Sequence, residues 1–125
     1  MAIPILKQGP WLIASIQSAL SDSEILELRD DLADMVGRRR ARGIVLDVAG
    51  IDVIDSFVAR SLRTIAMTTR LRGAETVIVG IQPEVAVAMV QFQLDLEPLH
   101  TALDLEEGLE VLKSRVTNGA RADGR

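Results

Sequence analysis

Hydrophobic and polar positions follow a strand period in some segments of the chain and a helix period in others. Two short apolar runs, IPILK and WLIASI, flank the turn Gln8-Gly9-Pro10 and predict a hairpin of two strands. The continuous apolar runs GIVLDV and ETVIVG predict buried strands, and LHTA predicts a weaker last strand. The pattern therefore predicts five strands.

Four other segments carry apolar residues at helical spacing and predict helices. Ser21 with Glu24 three residues later is a capping-box signature, so a first helix is predicted to begin there and to end near Gly43. A second helix is predicted to begin near Asp55, a third near Pro83, and the last in the Glu-rich segment after LHTA. The predicted inner stripe of the second helix is Val58, Leu62, Ile65, Ala66 and Thr69.

The order of these elements predicts the fold class. Strands that alternate with helices favour parallel neighbours, whereas the opening hairpin adds an antiparallel pair. We therefore expect an α/β domain with a mixed β-sheet, an N-terminal antiparallel hairpin and about four α-helices. This single domain is predicted to span residues 1–116, and the polar residues 117–125 are predicted to form a disordered tail.

The third predicted helix, PEVAVAMVQFQL, has apolar residues around most of its circumference. Such a helix is either deeply buried or packed against another subunit, and a domain of this size leaves little room to bury it fully. We therefore expect a partly exposed apolar surface that serves self-association.

Composition and charge exclude several classes of function. The chain has 14 basic and 18 acidic residues, a net charge of −4, which argues against nucleic acid as a partner. The local basic run RRRAR is expected to stay solvated at a helix end. The chain lacks cysteine, and no run approaches the ~20 apolar residues of a membrane span, so we expect a soluble cytoplasmic protein without membrane contact.

Templates for catalysis and for cofactor binding are absent from the sequence. His100 is the only histidine, so no two-histidine metal motif can form. The sequence contains neither a Gly-rich phosphate loop with Lys and Ser or Thr nor a Gly-x-Ser-x-Gly nucleophile turn. We expect no enzyme activity, no metal and no cofactor.

The segment DVIDSFVARSL places a serine where a strand, a short loop and a helix meet. Asp55 is in the position of a helix N-cap, which makes Ser56 the first helical residue. In one interpretation, Asp55 and Ser56 share the capping of the helix. In the other, the Ser56 hydroxyl stays free at the positive end of the helix, where free backbone N–H groups can receive a phosphate.

A resemblance to a known family bears on this choice. The segment IVLDVAGIDVIDSFVARSL resembles the STAS domains of anti-sigma-factor antagonists. The segments IPILK, GIQPEVAV and TALDLEEGLEVLK also look like the RsbS-like branch of that family, the small single-domain proteins of the stressosome. The chain departs from most of the family after the serine, where Phe57 to Arg60 replace a run of small residues.

The resemblance implies a non-enzymatic scaffold and negative regulator of the general stress response. It implies that Ser56 is phosphorylated by an RsbT-like serine kinase, and that this kinase is sequestered until then. It also implies assembly with RsbR-like STAS proteins, in addition to self-association into a homodimer and a larger assembly. The expected kinase-binding surface comprises Asp55, Ser56, Phe57 and Arg60.

Two points stay open at the level of the sequence. A second phosphorylation site close to Ser56 does not follow from the sequence, since Ala59 has no hydroxyl, and Ser61 and Thr64 are less favoured secondary candidates. The alternative function is a small-ligand-binding or transporter-associated STAS module, or another regulatory module such as an anti-sigma-factor antagonist, that uses the same fold without sequestering a kinase.

Overall fold

Five strands and four helices follow one another in the order expected from the sequence. The computed structural model of the chain describes the backbone of residues 3–123 and the side chains of residues 3–116. The strands are β1 (Ile5–Gln8), β2 (Trp11–Ser15), β3 (Gly43–Asp47), β4 (Glu75–Val79) and β5 (His100–Ala102). The helices are α1 (Asp22–Arg39), α2 (Ser56–Leu71), α3 (Pro83–Gln91) and α4 (Leu105–Asp123).

The strands form one mixed sheet in the order β1-β2-β3-β4-β5. β1 and β2 pair antiparallel around the turn at Gly9, with Ile5 opposite Ala14 and Gln8 opposite Trp11. The three other pairs, β2 with β3, β3 with β4 and β4 with β5, are parallel. The predicted fold class, a mixed sheet that begins with an antiparallel hairpin and carries four helices, is confirmed.

The two faces of the sheet carry separate cores because side chains alternate along each strand. On one face, Leu12, Ile44 and Ile78 pack with buried residues of α1, α2 and α3. On the other face, Trp11 and Val45 pack with Leu112 of α4. The functional segment described below lies on the three-helix side.

The capping box of α1 forms as predicted. The Ser21 hydroxyl accepts from the backbone N–H of Glu24, and the Glu24 carboxylate accepts from the backbone N–H of Ser21 at 3.0 Å. The hydrogen bond that the Glu24 carboxylate accepts from the Ser21 backbone, followed by its interaction with the Ser21 side chain, lowers the pKa of the Glu24 carboxyl below its ordinary value of 4.5. The negative charge of Glu24 is therefore stabilised in the folded state.

The predicted end of α1 at Gly43 is wrong. The helix ends at Arg39, and Arg40 takes the left-handed conformation with a φ of 52° while its N–H bonds to the carbonyl of Val36. Gly43 instead begins β3, where a Cβ would lie within 2.7 Å of the Trp11 ring. The glycine at this position serves the close approach of a tryptophan ring rather than the end of a helix.

Two further predictions concern the disorder of the C-terminal tail and the lack of a membrane span. Residues 117–125 lie outside the part of the chain whose side chains are described, although the backbone of α4 is assigned to Asp123, so their disorder stays a prediction. Across the helices as described, none is both long and apolar enough to cross a bilayer.

Candidate functional site

Ser56 lies where the chain leaves the carboxyl end of β3 and enters α2. In parallel α/β sheets this edge is where binding sites usually form, because loops and helix N-termini converge there. The connecting loop, residues 48–55, is anchored by the buried side chains of Ile51 and Ile54. Between these anchors, Asp52 is exposed and Val53 is 70% exposed.

The loop before Ser56 is held by contacts with three parts of the domain. The Asp47 carboxylate accepts from the backbone N–H of Ala49 at 3.0 Å. The side-chain amide of Gln82, at the start of α3, donates to the Ala49 carbonyl at 2.7 Å. The backbone at Gly50 passes so close to the backbone at Gln17 that a Cβ on residue 50 would lie 2.5 Å from the Gln17 carbonyl oxygen. The backbone that leads into Ser56 is therefore held in place at these three points.

The N-cap of α2 is Asp55, as predicted. Its backbone is extended, with a φ of −100° and a ψ of 172°, and its carboxylate accepts from the N–H of Val58 at 2.8 Å. The Asp55 carbonyl accepts the first helical hydrogen bond, from the N–H of Ala59 at 3.1 Å. Asp55 alone thus supplies the side-chain cap of this helix.

Ser56 is the first residue of α2 and is partly exposed. No side-chain hydrogen bond found among residues 3–116 uses its hydroxyl, whereas the hydrogen bond that caps the helix comes from Asp55. The sequence left open whether Asp55 and Ser56 share the capping of the helix. In the structure, Asp55 caps the helix and the Ser56 hydroxyl takes no part in the cap. The Ser56 hydroxyl is available for chemistry without loss of the cap.

Phe57 and Arg60 line a groove of about 320 Å³ between α1 and α2. Ser61 and Thr64 lie further along the same wall of this groove. Its other wall is formed by α1, through Ile25, Leu26 and Arg29. The structure thus brings Phe57 and Arg60 of the predicted surface together, while Asp55 and Ser56 precede them at the start of the helix.

The hydroxyls of Ser61 and Thr64 are engaged by their own helix. Ser61 Oγ donates to the Phe57 carbonyl at 2.8 Å, and Thr64 Oγ1 donates to the Arg60 carbonyl at 3.1 Å. Such bonds to the carbonyl four residues earlier are a usual arrangement for a hydroxyl inside a helix. Unlike the Ser56 hydroxyl, these two hydroxyls are therefore already used in hydrogen bonds within their own helix.

Sequence reasoning missed the contribution of α1. Leu26 and Arg29 lie about 30 residues before Ser56, and only the packing of α1 against α2 brings them into the groove. One signal was present in the sequence: Leu26 is apolar but lies beside, and not within, the helically spaced series Ile25, Leu28 and Leu32. The exposed Val53, three residues before Ser56, was missed as well.

A metal site among residues 3–116 would need a cluster of acidic or histidine side chains. Over the residues that the structure describes, no cluster of three or more His, Asp or Glu side chains is arranged to hold an ion. Of the three carboxylates at Asp47, Asp52 and Asp55, two are used otherwise: Asp55 caps α2, and Asp47 accepts from the N–H of Ala49.

With this geometry established, comparison with known proteins decides the family. The family model of the STAS domain matches residues 2–108. The chain belongs to the STAS domain family. This result confirms the resemblance that the sequence suggested.

Two solved structures relate this STAS domain to the stressosome. A serine-to-glutamate variant of RsbS from Moorella thermoacetica is 32% identical, with a TM-score of 0.78 over 92% of this chain and 97% of that chain. A chain of the stressosome, described as a signal integration and transduction hub, is 31% identical, with a TM-score of 0.73 over 90% of this chain and 97% of that one. The STAS domain is therefore RsbS-like.

A curated relative points to the same group of proteins. The RsbT co-antagonist protein RsbRA of Bacillus subtilis (strain 168) is 29% identical over 83 residues, which cover 66% of this chain. The match covers only 30% of the relative, so this STAS domain corresponds to less than a third of RsbRA.

Proposed function

We propose that this chain is a non-enzymatic, cytoplasmic scaffold of the RsbS type that sequesters an RsbT-like serine kinase and releases it when Ser56 is phosphorylated. The observation that carries the proposal is the Ser56 hydroxyl, which is partly exposed at the start of α2 while Asp55 provides the cap. A serine in this position can accept a phosphate without loss of the hydrogen bond that begins its helix.

The phosphorylation step needs only an acceptor from this chain. The Ser56 oxygen attacks the γ-phosphorus of ATP held by the kinase, so that an O–P bond forms and the bond between the γ-phosphorus and ADP breaks. The hydroxyl proton leaves to a base of the kinase. The products are phosphoserine on this chain and ADP on the kinase.

The added phosphate enlarges the side chain of residue 56 and also changes the charge of the surface. Phosphoserine carries about −1.5 to −2 charges at neutral pH. It is added next to Phe57 and one helical turn from Arg60, both of which line the groove. A kinase that contacts this surface in its unmodified state loses complementarity when the charge appears.

The proposed partners also include RsbR-like STAS proteins and further copies of this chain. Two features support assembly: the similarity to a stressosome chain, and the exposed apolar face of α3. On that helix, 58% of Val87 and 77% of Val90 is exposed, whereas Val85 and Met89 are buried. We propose that the downstream effect is negative regulation of the general stress response.

The decisive experiment is phosphorylation by an RsbT-like kinase from the same organism. The purified chain is incubated with this kinase and ATP, and the phosphate is located by mass spectrometry of peptides. We expect modification at Ser56 and its complete loss in Ser56→Ala. The variants Ser61→Ala and Thr64→Ala serve as matched controls, because both hydroxyls lie on the same helix, and both should be labelled like the wild type.

Binding measurements complete the test of the proposal. The unmodified chain should retain the kinase in a pull-down, and the phosphorylated chain should release it. Labelling at Ser61 or Thr64 with Ser56 unmodified would overturn the assignment of the site. Equal retention of the kinase before and after phosphorylation would overturn the release mechanism.

A further inference from the structure

Ser56 and Arg60 are separated by one turn on the outward side of α2. Residues four apart on a helix have Cβ atoms about 5–6 Å apart. The Cα–Cβ bonds of a helix tilt toward its N-terminus, so a long side chain such as that of Arg60 covers the turn before its own Cα. The turn that Arg60 covers is the one that begins with Ser56.

The Arg60 guanidinium has no acidic partner among residues 3–116. Arg29, on the opposite wall of the groove, does have one, since it contacts Asp30 at 3.0 Å, and Arg38 of the same helix contacts Asp34 at 2.7 Å. Among the side-chain hydrogen bonds of residues 3–116, Arg60 takes part only through its backbone carbonyl, which accepts from the Thr64 hydroxyl. Arg60 is therefore the arginine of the groove whose charge is not compensated within the described part of the domain.

We propose that Arg60 binds the phosphate on Ser56 and that phosphorylation acts by withdrawing the charge of Arg60 from the groove. The inference rests on the proposed phosphorylation of Ser56 and adds to it the partner's chemistry. In the unmodified chain, Arg60 faces the kinase and binds an acidic group there. In the phosphorylated chain, Arg60 turns to its own helix.

The physical chemistry favours this internal pair. A guanidinium forms two parallel N–H···O bonds with a phosphate, a geometry that a single solvated charge does not offer. The order along the helix is also favourable. A pair with the anion four residues N-terminal to the cation is more stable than a pair in the reverse order. Release of the kinase then follows from loss of an attraction, in addition to any repulsion by the phosphate.

The pair can be tested without any kinase. Phosphoserine is inserted at position 56 during translation, and the second pKa of its phosphate is measured by phosphorus NMR. We expect this pKa, about 6 for a free phosphoserine, to rise by about 0.3 unit in Arg60→Gln relative to the wild type. The difference should shrink in about 1 M salt, which screens charges on the surface.

Arg63→Gln is the matched control for this measurement. It removes the same charge from the same helix, but Arg63 lies seven residues from Ser56 and not four. The phosphate pKa should equal that of the wild type in this variant. Equal values in wild type and Arg60→Gln, or an equal rise in Arg63→Gln, would overturn the pair.

A binding cycle then tests the consequence for the partner. The affinity of the RsbT-like kinase is measured for wild type and Arg60→Gln, each with serine or phosphoserine at position 56. If the phosphate acts through Arg60, the two changes together weaken binding by less than the product of their separate factors. A combined weakening equal to that product would show that the phosphate acts independently of Arg60, and would contradict the proposed withdrawal of its charge. A kinase that binds none of the four forms would overturn the proposed function, whereas the NMR result would stand separately.

Discussion

The carboxylate of Asp55 accepts a 2.8 Å hydrogen bond from the N–H of Val58, and this contact closes the first turn of α2 without the help of Ser56. The helix therefore depends on one side chain for its start, while the neighbouring side chain carries the proposed signal. The division of roles between two adjacent residues makes the following variants informative.

Removal of the cap should destabilise the domain, whereas removal of the serine hydroxyl should not. We expect Asp55→Ala to lower the free energy of unfolding by about 1 kcal/mol, since it leaves the Val58 N–H without its acceptor. Ser56→Ala should change it by less than about 0.5 kcal/mol. Urea denaturation measures both, with Asp52→Ala as the control for loss of an exposed negative charge from the same loop. Equal losses in Asp55→Ala and Ser56→Ala would mean that both side chains cap the helix.

Charge at position 56 should control the affinity for the kinase. We expect Ser56→Asp to weaken binding of an RsbT-like kinase about tenfold, which corresponds to about 1.4 kcal/mol. Ser56→Ala should bind like the wild type but remain bound after ATP is added. Calorimetric titration provides the affinities. Ser114→Asp adds the same charge at an exposed position on α4, across the sheet from α2, and should leave the affinity unchanged. Equal affinities of the Asp and Ala variants at position 56 would contradict the switch.

The exposed valines of α3 should matter for self-association and little for folding. We expect the double variant Val87→Asp and Val90→Asp to raise the dissociation constant of the self-associated form roughly tenfold or more, because charges replace apolar contacts. Sedimentation velocity measures the size distribution, and circular dichroism verifies that the helices persist. Leu71→Asp is the control, since Leu71 is 90% exposed at the end of a different helix. A wild-type chain that sediments as a monomer at all concentrations would contradict this use of α3.

The capping box of α1 should make stability depend on pH. Because the pKa of Glu24 is lowered in the folded state, its contribution is present above the ordinary value of 4.5 and is lost as the pH falls through the lower folded value. We expect the difference in unfolding free energy between wild type and Glu24→Gln to shrink from about pH 6 to about pH 3. Urea denaturation across this range measures it, with Glu27→Gln, an exposed glutamate of the same helix, as the control. If the unfolding free energies of wild type and Glu24→Gln changed in parallel with pH, the lowered pKa of Glu24 would be contradicted.

Local features of the fold were predictable because their causes are local. The caps at Ser21 and Asp55 follow from side chains that bond to amides three residues later. The buried stripe of α2 follows from helical spacing, and all of its five predicted members are buried. The exposed apolar face of α3 was predicted too, since Val87 and Val90 lie outside while Val85 lies inside.

Features that depend on distant parts of the chain were not predictable. Gly43 looked like a helix end, but the reason for a glycine there is the Trp11 ring on the neighbouring strand. The groove beside Phe57 needs α1, and no local pattern states which residues of one helix lie against another. The free charge of Arg60 is a property of the folded surface, since the sequence does not show which arginines find acidic partners.

The buried stripe of α2 bears on how an assembly of such subunits would respond. Val58, Leu62 and Ile65 hold the helix on the sheet, while Ser56 and Arg60 lie outside that contact. A phosphate at Ser56 therefore changes surface charge without requiring the core to move. Under the proposed function, modified and unmodified copies would then keep the same shape and could occupy the same assembly side by side. The output of such an assembly would be graded by the number of phosphorylated copies, with no collective change of structure needed.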